Sequence, residues 1–266
     1  IEVRRNMGRE NMHYPVVEIC CGGYYDALQA CEGGSTRIEL NAALSLGGVT
    51  PTLGTLRLVK RDTCLKVVCM DRPRAGGFCY SREETAVMFE DAGLMLENGA
   101  DGIAFGFLTN SSEIDIETTR RMVRLVHGFD AEAVFHRAFD VVPDALGSCS
   151  QLVDAGVDRI LTSGQEPEAM DGIPLIKQLQ DLFGNDIQLL AGSGIDSTNA
   201  GRVIAETGIG QVHSSCREYV DDPTTIGASV SFEYASRERQ PGHEVVSRSL
   251  VERLIDSLEA GTEHFG

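Results

Sequence analysis

Eight short apolar runs, each followed by a stretch with helical spacing, set the tightest limit on how this chain folds. They are "VVEICC" from Val16, "RIELN" from Arg37, "LKVVCM" from Leu65, "GIAFGF" from Gly102, "AVFHRAF" from Ala133, "RILTSG" from Arg159, "IQLLAG" from Ile187 and "QVHSS" from Gln211. Helical segments between them include "SREETAVMFEDAGLMLENG", where Ser81 and Glu84 form a capping box and Gly99 marks the stop. Right-handed strand–helix–strand units repeated eight times close into a (β/α)8 TIM barrel, an α/β fold of one domain. A doubly wound open sheet is the alternative, but no GxGxxG follows the first strand. Residues 1–15 read as an N-terminal extension and 16–266 as the barrel. Its tail carries "RERQPGH" and then "VVSRSLVERLIDSLEAG", which reads as the closing helix.

The net charge of -17 opposes binding to nucleic acid or an anionic membrane surface, and no apolar run is long enough to span a bilayer. Eight cysteines without a CxxC pair, behind a polar start with no signal-peptide pattern, predict a reduced cytoplasmic protein.

Parallel barrel strands are buried on both faces and normally read as continuous apolar runs, yet several of these do not. Glu18 and Cys20 alternate with Val17 and Ile19; Arg37, Glu39 and Asn41 alternate with Ile38 and Leu40; His136 and Asp140 alternate with Phe135 and Phe139. The apolar set can pack on the helices, so the polar set faces the lumen near the mouth where barrel enzymes hold their sites. "RPRAGG" adds Arg72 and Arg74. The expected constellation is Glu18, Glu39, His136 and Asp140 for proton transfer, with Arg72 and Arg74 clamping a small anion. The blander reading is a self-satisfied ion network plugging the barrel. Arg137 has the wrong parity for the lumen and is expected to pair with a helix.

Small residues after the last three strands, Ser163 and Gly164, Gly192, Ser193 and Gly194, and His213 with Ser215, are candidate substrate-binding positions, with the helix after Asp196 and Ser197 offering its N-terminus to an anion. Glycines there also serve simply to turn strand into helix. Lysine is confined to Lys60, Lys66 and Lys177, none at the mouth, which argues against Schiff-base chemistry.

The segments "VEIC", "RIELN", "GGVTPTLG", "RPRAGGFCYS", "ADGIAFGFLT", "FHRAFD", "DRILTSG", "AGSGI", "VHSSCR" and "IGAS", in this order, resemble the CutC copper homeostasis family from about Val16 to Ser229. The resemblance implies a TIM barrel, a cytoplasmic homo-oligomer, and handling of Cu(I). It implies a thiol ligand at the end of strand one, which Cys20 matches, and a second at the end of strand two, where this chain has Asn41. Any second thiol or thioether would come from Cys21, Cys69, Met70, Cys79 or Cys216. Two functions follow as expectations: copper handling anchored on Cys20, or a barrel hydrolase, lyase or isomerase acting on a small anionic metabolite.

Overall fold

The computed structural model describes residues 15–232 and 242–262; the expected N-terminal extension, apart from Pro15, and most of "RERQPGH" lie outside them. Eight parallel strands close in sequence order into a barrel: β1 Val16–Cys21, β2 Arg37–Leu40, β3 Lys66–Met70, β4 Gly102–Phe105, β5 Glu132–Phe135, β6 Arg159–Thr162, β7 Gln188–Gly192 and β8 Gln211–Ser214. Helices α1 Tyr24–Glu32, α2 Leu53–Asp62, α3 Arg82–Glu97, α4 Ile116–His127, α5 Ala145–Ala155, α6 Ile173–Phe183 and α7 Ala200–Thr207 follow the first seven strands, and α8 Arg248–Thr262 completes the ring.

Period-two alternation sorts the apolar residues into two separate cores. Ile19, Ile38, Val67, Ile103 and Phe135 face outward and join the helices in one continuous cluster. Val68, Met70, Ala104 and Val134 form a small cluster of their own, the apolar part of the lumen. Ser81 accepts from the Glu84 amide while the Glu84 carboxylate takes the Ser81 amide, the capping box that starts α3.

The base of the lumen is plugged by polar side chains from the beginnings of the strands. Arg37 donates to Gln211 (2.6 Å), Gln211 to Gln188 (2.7 Å), and Arg159, 1% exposed, to Gln188 and to Glu132 (2.8 Å). This polar network lies at the end opposite the mouth and is made by other residues than the expected constellation.

Three expectations are corrected. Strand five ends at Phe135; His136 accepts from the Ala138 amide through Nδ1 and opens a 3-10 turn over Arg137–Val141, so Asp140 is not on a strand and the parity argument does not reach it. Arg137 pairs with Asp140 (2.7 Å) and Ser163 (2.8 Å), not with an α-helix, because the 3-10 turn swings it over the end of β6. The closing helix begins at Arg248; Val245 and Val246 belong instead to β10 Gly242–Val246, antiparallel to β9 Arg217–Asp221.

That small sheet is tied to the barrel through Asp26 of α1, a buried carboxylate that accepts from the Gly22 amide (2.7 Å) and the Val246 amide (2.9 Å). Asp26→Ala would leave both amides without an acceptor. A loss of about 2 kcal/mol in urea-unfolding free energy is expected, and an unchanged midpoint would show that the hairpin is held by other contacts.

Candidate functional site

The polar wall of the lumen is built by β8, β1 and β2. Parallel register places Glu18 beside His213 on one side and Arg37 on the other. Glu18 divides its oxygens between them: Oε1 lies 2.9 Å from His213 Nδ1 and Oε2 lies 2.6 Å from Arg37 Nε, the latter a close ion contact with the N–H off the line to the oxygen. Burial by itself would raise this carboxyl, but the His213 hydrogen bond and the Arg37 charge prevail and hold it at about 2.

One step nearer the mouth, Cys20 on β1 and Glu39 on β2 close the group. Cys20 Sγ, a Glu39 oxygen and a His213 ring nitrogen all lie within 4.8 Å of one another, with Glu39 and His213 buried and Cys20 partly exposed. Asn41 Nδ2 donates to Glu39 Oε2 (2.9 Å) and lies 3.6 Å from Cys20 Sγ. Gly48, at φ +82°, faces Asn41 from the next loop; a Cβ there would sit 2.4 Å from Asn41 Oδ1, so only glycine lets the loop close on the amide.

Burial raises the Cys20 thiol and the Glu39 carboxyl, with His213 opposing both. Burial pulls His213 the other way, yet its hydrogen bonds to Cys20 and Glu18 and the Glu39 charge prevail, and its pKa stands well above the ordinary imidazole value. A metal ion binding here displaces protons from His213 and Cys20, and thiolate, imidazole and carboxylate are all competent donors. The set is one soft, one borderline and one hard ligand; thiolate and imidazole suit Cu(I), and the carboxylate is its weakest member.

The other expected residues lie elsewhere. His136, 3% exposed, packs against Phe78 at 5.0 Å between ring centres, and its Nε2 has no hydrogen-bond partner among the described residues. Asp140 does not orient it: that carboxylate accepts from Thr162 (2.5 Å), Ser163 and Arg137. The anion clamp expected of Arg72 and Arg74 is committed to the protein. Arg72 donates to the carbonyls of Leu46, Gly48 and Gly76, and Arg74 to Glu84 and the carbonyls of Ala75, Gly77 and Cys79, so both staple loops.

The small-residue loops are closed on themselves as well. The Ser163 amide goes to Asp140 and the Gly164 amide to Thr162; a Cβ on Gly164 would lie 2.4 Å from the Gly172 carbonyl, so this glycine serves close backbone approach. Gly192 packs against Leu161 and His213, Ser193 donates to the Pro167 carbonyl (2.7 Å), and the Gly194 carbonyl accepts from Asn199. Asp196 already takes the Thr198 amide ahead of α7, which starts at Ala200, not Ser197. Ser215 is half-buried just past β8. Of the expected site residues, the structure brings together Glu18, Glu39, Cys20 and His213. His213, expected among the substrate-binding loop positions, lies in the lumen, and its two-residue offset from Gln211 is the sequence signal for that placement.

Burial, reinforced by the Arg72 charge, lowers His136 from 6.5 to about 3. Between these values the unfolded chain binds the proton and the folded one does not, so this group's stabilising contribution is complete above about 6.5 and is lost as pH falls towards 3. The urea midpoint of the wild type is expected to fall through that window more steeply than that of His136→Gln; parallel curves would show that His136 is not buried neutral.

Comparison with known proteins bears on the same residues. A model of the CutC family matches residues 15–218. The CutC family protein of Treponema denticola is 42% identical over 243 residues, covering 91% of this chain and 98% of the relative. The copper homeostasis protein cutC homolog of Mus musculus is 39% identical over 206 residues, covering 77% and 75%. The crystal structure of CutC from Streptococcus agalactiae superposes with a TM-score of 0.72 at 31% identity, covering 76% of this chain and 98% of that one.

Proposed function

The chain belongs to the CutC family, and from that membership we propose a copper-handling protein that holds Cu(I) in the barrel lumen through Cys20 and His213, with Glu39 alongside. The observation that carries this reading is the convergence of a thiol, an imidazole and a carboxylate within 4.8 Å, two of them buried. Copper is the cargo here. Cys20 supplies the soft donor, His213 the second, and Asn41, standing where the resemblance places another thiol, steers Glu39 and Cys20 with its amide N–H. The free cysteines fit a reducing cytoplasm, and no helix among the described residues is long and apolar enough to cross a membrane. Assembly as a homo-oligomer belongs to the same proposal. Committing Arg72 and Arg74 to loop carbonyls disfavours the anionic-metabolite enzyme.

Competition against a Cu(I) chelator tests the proposal. One equivalent should be held by the wild type, and Cys20→Ala and His213→Ala should each weaken retention by at least about 10-fold; a wild type that yields all its copper to a moderate chelator removes it. Because Asn41 Nδ2 lies 3.6 Å from the Cys20 sulfur, Asn41→Cys should supply a second soft donor and tighten Cu(I) retention by about 10-fold or more, read in the same titration. No gain would mean that the lumen does not present this position to the ion.

A further inference from the structure

Beyond the three candidate donors, the lumen contains a carboxylate held against one of them, His213, by a further residue, Arg37. Glu18 is 2% exposed and lies level with His213 across the β1–β8 pair. Its Oε1 meets His213 Nδ1 at 2.9 Å while Oε2 meets Arg37 Nε at 2.6 Å. Arg37 is itself anchored below by Gln211 at 2.6 Å, and Gln211 by Gln188. The Glu18 carboxylate is therefore held from the base of the barrel and cannot rotate away from the ring without leaving a buried guanidinium unpaired.

The two nitrogens of an imidazole sit on different edges of the ring. With Nδ1 engaged by Glu18, Nε2 is the ring nitrogen outside that hydrogen bond, and Cys20 and Glu39 approach the ring from the next lumen level towards the mouth. Metal-binding histidines owe their ring orientation and donor strength to a carboxylate or carbonyl on the other nitrogen. We propose that Glu18 is a positioning residue that holds the His213 Nδ1–H, so that the ring presents Nε2 to a thiolate-seeking metal ion such as Cu(I) beside Cys20, with Arg37 keeping Glu18 in place. The inference rests on the copper reading of the same lumen and adds which nitrogen binds and what selects it. Glu18 touches the ligand's ring and not the ion.

Two measurements on the full chain test it. In the Cu(I)-loaded wild type, ¹⁵N-resolved NMR of the histidine rings should show His213 with a retained, hydrogen-bonded Nδ1–H and a metal-shifted Nε2; copper on Nδ1 overturns the proposal whatever any variant does. In chelator competition, Glu18→Gln should weaken Cu(I) retention by about 10- to 100-fold, and Glu18→Asp, which keeps the charge, should recover part of that loss. A Glu18→Gln protein that is folded by circular dichroism and retains Cu(I) within twofold of a copper-binding wild type overturns the positioning role and leaves the copper reading standing. A wild type that retains no Cu(I) overturns both. Should Glu18→Gln fail to fold, the wild-type ring spectrum alone decides.

Discussion

One buried ion contact, Glu18 between Arg37 and His213, joins the base of this barrel to its polar wall. A carboxylate sealed among parallel strands is tolerated only if cations face it closely, because burial costs a charge its hydration. Arg37 satisfies it from the base and His213 from the side, and the same pairing turns the imidazole towards Cys20 and Glu39. Plug and candidate metal site are thus two levels of one electrostatic structure.

The lumen is divided. β8, β1 and β2 line it with His213, Glu18, Cys20, Glu39 and Asn41, while β3, β4 and β5 line it with Val68, Met70, Ala104 and Val134. The polar wall thus shares the lumen with three aliphatic side chains and one thioether, Met70. Such a half-apolar shell strengthens every charge interaction it encloses. His136 belongs to a different neighbourhood, neutral beneath Phe78, and the arginines of the third loop hold backbone carbonyls in place.

Parity along a strand was a sound guide wherever the strand continued. Glu18, Cys20, Arg37 and Glu39 all face inward as alternation requires, and His213 follows the same rule from Gln211. It failed at Asp140, since the chain leaves the strand after Phe135 and coils into a 3-10 turn, where period two has no meaning. The clamp expected of Arg72 and Arg74 did not form either, because their long side chains find loop carbonyls that have no sequence signature. The hairpin of β9 and β10 was missed because its strands are largely exposed and carry no apolar run, and because Val245 and Val246 continue smoothly into a helical pattern.

By itself, then, the sequence determined the eightfold strand–helix repeat, which side chains of each long strand face the lumen, and the family to which the chain is similar. The first two are local properties, set by backbone periodicity and by the cost of burying polar groups on an apolar shell, while the resemblance rests on the order of the matching segments. Tertiary structure alone decided which inward residues meet: barrel closure brings His213 of the last strand against Glu18 of the first, 195 residues apart, and leaves His136 in a separate apolar setting. The reason is geometric, since strand stagger and closure fix the level at which each side chain enters the lumen, and no spacing along the chain encodes that level.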